Sequence, residues 1–106
     1  MSEPIRRAYG WQAIAIERNR QVTSEGFAPE HDDQHQRGEL LDAALCYGSY
    51  ASLQLAYGSE QPPYYFPPAW PWGEEWWKPS EDPMRNLAKA GALIAAEIDR
   101  LHRATG

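Results

Sequence analysis

The 106-residue chain has a single cysteine, Cys46, and no long apolar run. One thiol excludes an internal disulfide and any multi-cysteine zinc site. Without about 18–20 consecutive apolar residues there is no membrane-spanning helix, so no membrane partner is expected. Positive charge is also scarce, with 10 Lys and Arg against 15 Asp and Glu and a net charge of -5. That excludes a general electrostatic grip on nucleic acid or anionic membrane, although a local basic patch could survive it. Residues 1–7 lack the apolar core and cleavage site of a secretory signal, so a cytoplasmic location is expected. No segment alternates as a strand does, no internal repeat is visible, and the length allows one domain. Neither a Ser-His-Asp arrangement nor a phosphate-cradling glycine loop is present, and no catalytic residue is assigned.

What the chain has in excess is aromatic residues and proline. There are five Trp, six Tyr and nine Pro, and most of the surplus falls between Gln61 and Pro83. Around that segment the periodicity predicts an all-α fold with three main helices, over about 10–25, 36–57 and 83–103. Residues 1–9 are expected to form a flexible arm and 10–104 one helical domain. In the first helix Trp11, Ile14, Ala15, Arg18 and Val22 share a face, with Gly26 as the stop. Leu41, Ala44, Leu45, Gly48, Ala51 and Leu55 give the expected buried stripe of the second, with Asp32 or Asp33 as its cap and Gly58 as its end. Gly48 on that stripe could permit close helix packing. Asp82 and Pro83 open the third, whose stripe is Met84, Leu87, Gly91, Ile94, Ile98 and Leu101. Glu97 with Arg100 and Asp99 with Arg103 are expected to pair on its wet side. An unbroken stripe on this helix could also pair with its twin, giving a homo-oligomer.

Between the second and third helices, Pro62, Pro63, Pro67, Pro68, Pro71 and Pro79 exclude helix and central strand. Disordered segments are poor in aromatics, whereas this one carries Tyr64, Tyr65, Phe66, Trp70, Trp72, Trp76 and Trp77. It is therefore expected to be an ordered loop folded over the helices. Its tryptophans either lock with proline to roof the small core or stack on a nucleobase or cation. Lys78 and Arg85 flank it and could meet a phosphate.

Two acidic constellations stand out. Glu25, Glu30, Asp32, Asp33, Glu39 and Asp42 crowd the connector before the second helix, where the helix dipole favours negative charge. His31 and His35, four apart, could make a two-histidine, one-carboxylate metal site with Asp32 or Glu39. The paired motifs Glu30…Asp33 and Glu39…Asp42 resemble the acidic motifs with which helical nucleotide pyrophosphatases of the MazG type hold Mg²⁺. Here, however, they lie too close in sequence to sit on two facing helices. Cys46 reads as a small buried residue, and His102 suits the C-terminal end of the helix dipole.

Several motifs carry a wider likeness: Ile16-Glu17-Arg18-x-Arg20-Gln21, Glu25-Gly26-Phe27, Pro29-Glu30-His31-Asp32-Asp33-Gln34-His35, Gly38-Glu39-Leu40, Trp70-Pro71-Trp72, Trp76-Trp77-Lys78-Pro79 and the run from Lys89 to Ile94. Together they resemble a family of small uncharacterised proteins of tailed phages and prophages, which implies a setting in the host cytoplasm and no established activity. The order Arg18, Gly26-Phe27, Asp32-Asp33, His35, Leu40 is similar to the ryanodine-receptor repeat domain, although Gln36 stands where that domain has a proline. This second likeness implies a module that binds a nucleotide-derived ligand without turning it over.

The expectation is accordingly a phage accessory protein that binds a small nucleotide-like molecule and sequesters a host defence signal. Trp70, Trp72, Trp76 and Trp77 would stack on the base. Arg18, Arg20 or Lys78 would neutralise phosphate, and Asp32, Asp33 and His35 would bond ribose hydroxyls. The alternatives are an inhibitor that binds a host protein, with Trp and Tyr as its anchors, and a Mg²⁺-dependent pyrophosphohydrolase. Only the last requires a cofactor.

Overall fold

The computed structural model describes residues 7–58, 60, 62 and 65–105, and these are helical with no strand among them. Four α-helices follow in order: α1 over Gly10–Ser24, the single turn α2 over Pro29–Asp32, α3 over Glu39–Tyr57 and α4 over Pro83–Thr105. A 3₁₀ turn at Glu74–Trp76 lies within the loop between α3 and α4. The arm expected over residues 1–9 falls mostly outside the described residues, as does Tyr64 of the loop. No described helix is long and apolar enough to cross a membrane.

Local chemistry sets the helix limits. The Tyr9 N–H donates to Gln12 Oε1 at 2.9 Å, holding the first turn of α1. At its end Gly26 takes φ 74°, a left-handed turn that lets the Phe27 N–H bond back to the Gln21 carbonyl at 3.0 Å. The second long helix starts at Glu39, three residues later than expected, because Gly38 is left-handed at φ 86° and is its N-cap. Neither Asp32 nor Asp33 caps it. Instead Glu39 Oε1 accepts from the Arg37 N–H at 2.7 Å. Asp82 does open α4, accepting from the Met84 N–H at 2.9 Å.

The long helices form one layer. The central α4 runs antiparallel to α3 on one flank and packs against α1 on the other. Its contacts are made through small residues. Ala90 and Ala96 share one buried cluster with Leu40, Ala43 and Ala44 of α3, while Ala88 clusters with Ala13 of α1. The aromatic loop covers one face of this layer, where Trp70 and Trp77 are buried against Tyr47 and Tyr50. Trp77 Nε1 donates to the Tyr65 carbonyl at 2.9 Å.

Burial departs from the expected stripes. In α1 the buried residues are Ala13, Glu17 and Gln21, whereas Trp11, Ala15 and Val22 are exposed. The polar pair is inward because Glu17 and Gln21 serve charged partners and a cavity. On α3, Leu41, Leu45 and Leu55 face out, and a side chain at Gly48 would meet open space. Every large side chain of the α4 stripe is at least two-fifths exposed, because alanines take the inner contacts. Glu97 and Arg100 do pair, at 2.6 Å, but with side chains at most 14% exposed, not on a wet face. Arg103 reaches Asp33 at 2.7 Å and ties α4 to the connector.

One polar knot fixes the loop to the helices. Asn86 is fully buried. Its Nδ2 donates to Gln54 Oε1 and to the Ser80 carbonyl, both at 2.8 Å, and its Oδ1 accepts from the Ser80 N–H at 2.8 Å. Asn86→Ala strands those buried groups and is expected to lower stability by about 2–3 kcal/mol. A lower urea midpoint at unchanged m-value checks this, and a change below about 0.5 kcal/mol would place the loop's anchor elsewhere.

Candidate functional site

Beneath the aromatic loop, between α1 and α4, lies a cavity of about 450 Å³. This is within the range of small-molecule sites. Aromatic rings wrap round it in a continuous series. Phe27 stacks flat on His31 with centroids 4.6 Å apart, and His31 meets His35 edge-on at 4.7 Å. His35 lies 5.1 Å from Trp72, Trp72 is edge-on to Trp70 at 5.4 Å, and Trp70 is edge-on to Tyr47 at 5.7 Å. Leu93 of α4 contributes an aliphatic wall and the half-exposed Trp76 lines the cavity too. The turn at Gly26 is what brings Phe27 back over α1 into this series.

Cations converge on the same space. Arg20 clamps the fully buried Glu17 with contacts of 2.6 to 3.1 Å and reaches Glu25 at 3.2 Å. Arg85 approaches the other side of Glu17 at 3.5 Å. Burial by itself would raise the Glu25 carboxyl, but Arg20 and Lys78 outweigh it and hold the group below its ordinary value. Lys89 Nζ donates to the Lys78 carbonyl at 2.6 Å and sits 5.3 Å from the Tyr47 ring centre. Burial pushes its ammonium down to about 8. Burial, reinforced by the neighbouring His31, likewise lowers His35, and burial pushes the Tyr47 hydroxyl up to about 12.

Two residues of the lining carry a buried polar atom with no hydrogen-bond partner: Gln21 through Oε1 and Trp72 through Nε1. The other two buried indoles are satisfied, Trp70 by the Gly73 carbonyl at 3.1 Å and Trp77 by that of Tyr65. An unpaired buried donor or acceptor costs on the order of 1–3 kcal/mol, so each marks a spot of stored polar strain in the wall of the cavity.

The structure separates the expected site residues into groups. Arg20, His35, Trp70, Trp72 and Trp76 line the cavity, as does His31. Lys78 is at its rim, 5.2 Å above the Trp76 ring. Trp77 belongs to the core. Arg18 and Asp32 lie outside the lining and serve each other: Arg18 reaches the fully buried Asp32 at 2.8 Å and the Phe27 carbonyl at 3.3 Å, which braces the connector. Asp33 is engaged by Arg103. The metal alternative of His31, His35 and Glu39 is not assembled. The two rings contact each other through Nε2 at 3.4 Å, and Glu39 lies 4.0 Å from His35 on its Nδ1 side. Among the described residues no group of three His, Cys, Asp or Glu could hold a metal ion, so the paired acidic motifs do not form one either. Cys46 is buried and its thiol is raised by desolvation.

Sequence reasoning missed Gln21, Phe27, Tyr47, Lys89 and Leu93 as parts of this lining. A signal existed for Lys89, since it is a lone cation among the alanines of α4. No family model, curated protein or solved structure matches the chain.

Lys89 gives a pH-dependent prediction. Its folded pKa, about 8, lies below the unfolded value of 10.5, so the unfolded chain holds the proton more firmly. Lys89 therefore opposes folding at neutral pH, and the penalty fades as pH rises from about 8 toward 10.5. The wild-type urea midpoint should rise over that window relative to Lys89→Met. Parallel pH profiles for the two proteins would contradict it.

Proposed function

We propose that this chain is a small phage- or prophage-encoded accessory protein that binds a nucleotide-derived molecule in the ring-lined cavity and sequesters it. The observation that carries the reading is the combination of stacking rings and converging cations around one cavity of about 450 Å³. A nucleobase offers a planar face, a ring donor and a ring acceptor together, and base–aromatic stacking contributes roughly 1–3 kcal/mol per base. A phosphate would be met by Arg20, Lys78 and Lys89. The three are gathered round one cavity in a chain that is otherwise strongly acidic. Such a local cluster of cations favours an anionic ligand.

Binding without turnover suits the arrangement, because its polar groups are paired to hold shape and none forms a nucleophile–base pair. The likeness to phage proteins supplies the setting alone, and removal of a host defence signal is the role we propose within it. Arg18, Asp32 and Asp33 hold the connector in this reading, and contact with the ligand falls to Arg20, Gln21, His31, His35, Trp72 and Lys89.

Calorimetry and Trp fluorescence against nucleoside mono- and diphosphates and cyclic dinucleotides test the proposal. At least one should bind. Trp72→Ala, which removes a ring of the cavity wall, should weaken it by about 5-fold or more, as expected for the loss of one stacking surface. Affinity should also fall as pH rises past about 8, where Lys89 loses its charge. Asp33→Ala should leave affinity unchanged. Silence across the whole panel would overturn the assignment.

A further inference from the structure

Among the described residues no element covers the side of the helix layer away from the aromatic loop. Helix geometry shows that α3 and α4 contribute to it together. Going round α3 at 100° per residue, the loop-facing Tyr50 and Tyr47 come first, then the inward Leu40, Ala51 and Ala44, then the exposed Leu41, Leu45 and Leu55. Going round α4, Lys89 below the loop comes first, then Leu93 and Ala90 against α3, then the exposed Leu87, Ile94 and Ile98. Because the two helices are antiparallel, both rotations end on the same side of the layer. The two stripes therefore form one continuous apolar face.

Those six side chains are 41% to 65% exposed. Together they present on the order of 500 Å² of apolar surface, in the upper part of the roughly 300–600 Å² of the largest patch on a typical monomer, a size that is often functional. It is also most of the roughly 800 Å² per partner that a standard interface buries. Neither stripe contains a charged residue: Gly48 and Ser52 fill out the one on α3, and Met84 and Leu101 the one on α4, whose edge at Gly91 is closed by Ile14 of α1. The amphipathicity of α4 is thus turned outward, with alanines against its own neighbours and large aliphatics facing away from them.

We propose that a second copy of this chain covers this face, the α3–α4 pairs of two protomers packing about a two-fold axis as a four-helix bundle. Among the described residues only two large aliphatic side chains are fully buried, Leu40 and Leu93. Burying the outer face is therefore a requirement of folding stability and not of an occasional encounter. Another copy is the one partner always made alongside the chain. A charge-free, self-complementary face also lets two protomers of net charge -5 meet without placing like charges in contact. The ligand cavity lies on the opposite side of the layer and stays accessible in such a dimer.

Sedimentation equilibrium of the full chain at about 100 μM should give the dimer mass. Leu45→Glu combined with Ile98→Glu should give a monomer that keeps its helical circular dichroism. If that variant does not fold, protein carrying photo-leucine settles the matter. Mixed ¹⁴N and ¹⁵N protomers should then cross-link between chains at Leu41, Leu45, Leu55 or Leu87. A wild-type monomer, a dimer that survives the double substitution, cross-links confined to other surfaces, or this face occupied by a different protein would each overturn the proposal.

Discussion

Ala88, Ala90, Ala92 and Ala96 give α4 an inner surface made mostly of small side chains, and the other features of the molecule follow from that constraint. Small residues let α4 approach α3 and α1 closely, so three helices lie in one layer. A contact made of alanine buries little apolar area per residue, at about 25 cal/mol/Å². The layer therefore depends on what covers its two faces. On one, the aromatic loop supplies Trp70 and Trp77. On the other, Leu and Ile side chains stand exposed.

The same lack of bulk makes the cavity. Where α4 approaches α1, the inward positions carry Ala88 and Ala92, and Lys89 is the long side chain beside them. Polar residues occupy the remaining space, and their charges are matched. Glu17 lies between Arg20 and Arg85, and Asp32 against Arg18. Pairs this deep contribute little net stability, since desolvation offsets most of the attraction, but losing one partner leaves a buried charge and is severe. They act as register pins. Asp32 and Arg18 hold the connector that presents His31 and His35, while Glu17 orients Arg20. The residues with the strongest acidic signature are thus the scaffold of the site, and uncharged Gln21 and Trp72 are its unfilled partners.

The sequence pattern revealed the elements well and their faces poorly. Helix limits were legible because Gly26, Gly58, Asp82 and Pro83 act locally, through backbone conformation and missing donors. The late start at Glu39 was missed because the spacing of apolar residues does not tell a left-handed Gly38 from a helical one. Burial was misread for a more basic reason. Periodicity marks the apolar face of a helix without saying what that face meets, and on α4 it faces away from the core. Most loop aromatics were correctly expected to be ordered. Which of them line space and which fill it depended on the partner of each indole N–H, and that is set by tertiary contacts such as Trp77 with Tyr65.

The central claim is that the ring-lined cavity receives a planar anionic molecule through Gln21 and Trp72. Indole N–H resonances in a ¹⁵N correlation spectrum report on it directly, since every tryptophan gives one signal. Titration with nucleoside monophosphates and cyclic dinucleotides should move the Trp72 indole and the Gln21 side-chain amide, and leave the Trp77 indole, bonded to Tyr65, in place. Shifts confined to the half-exposed Trp76, or none at all, would contradict the account.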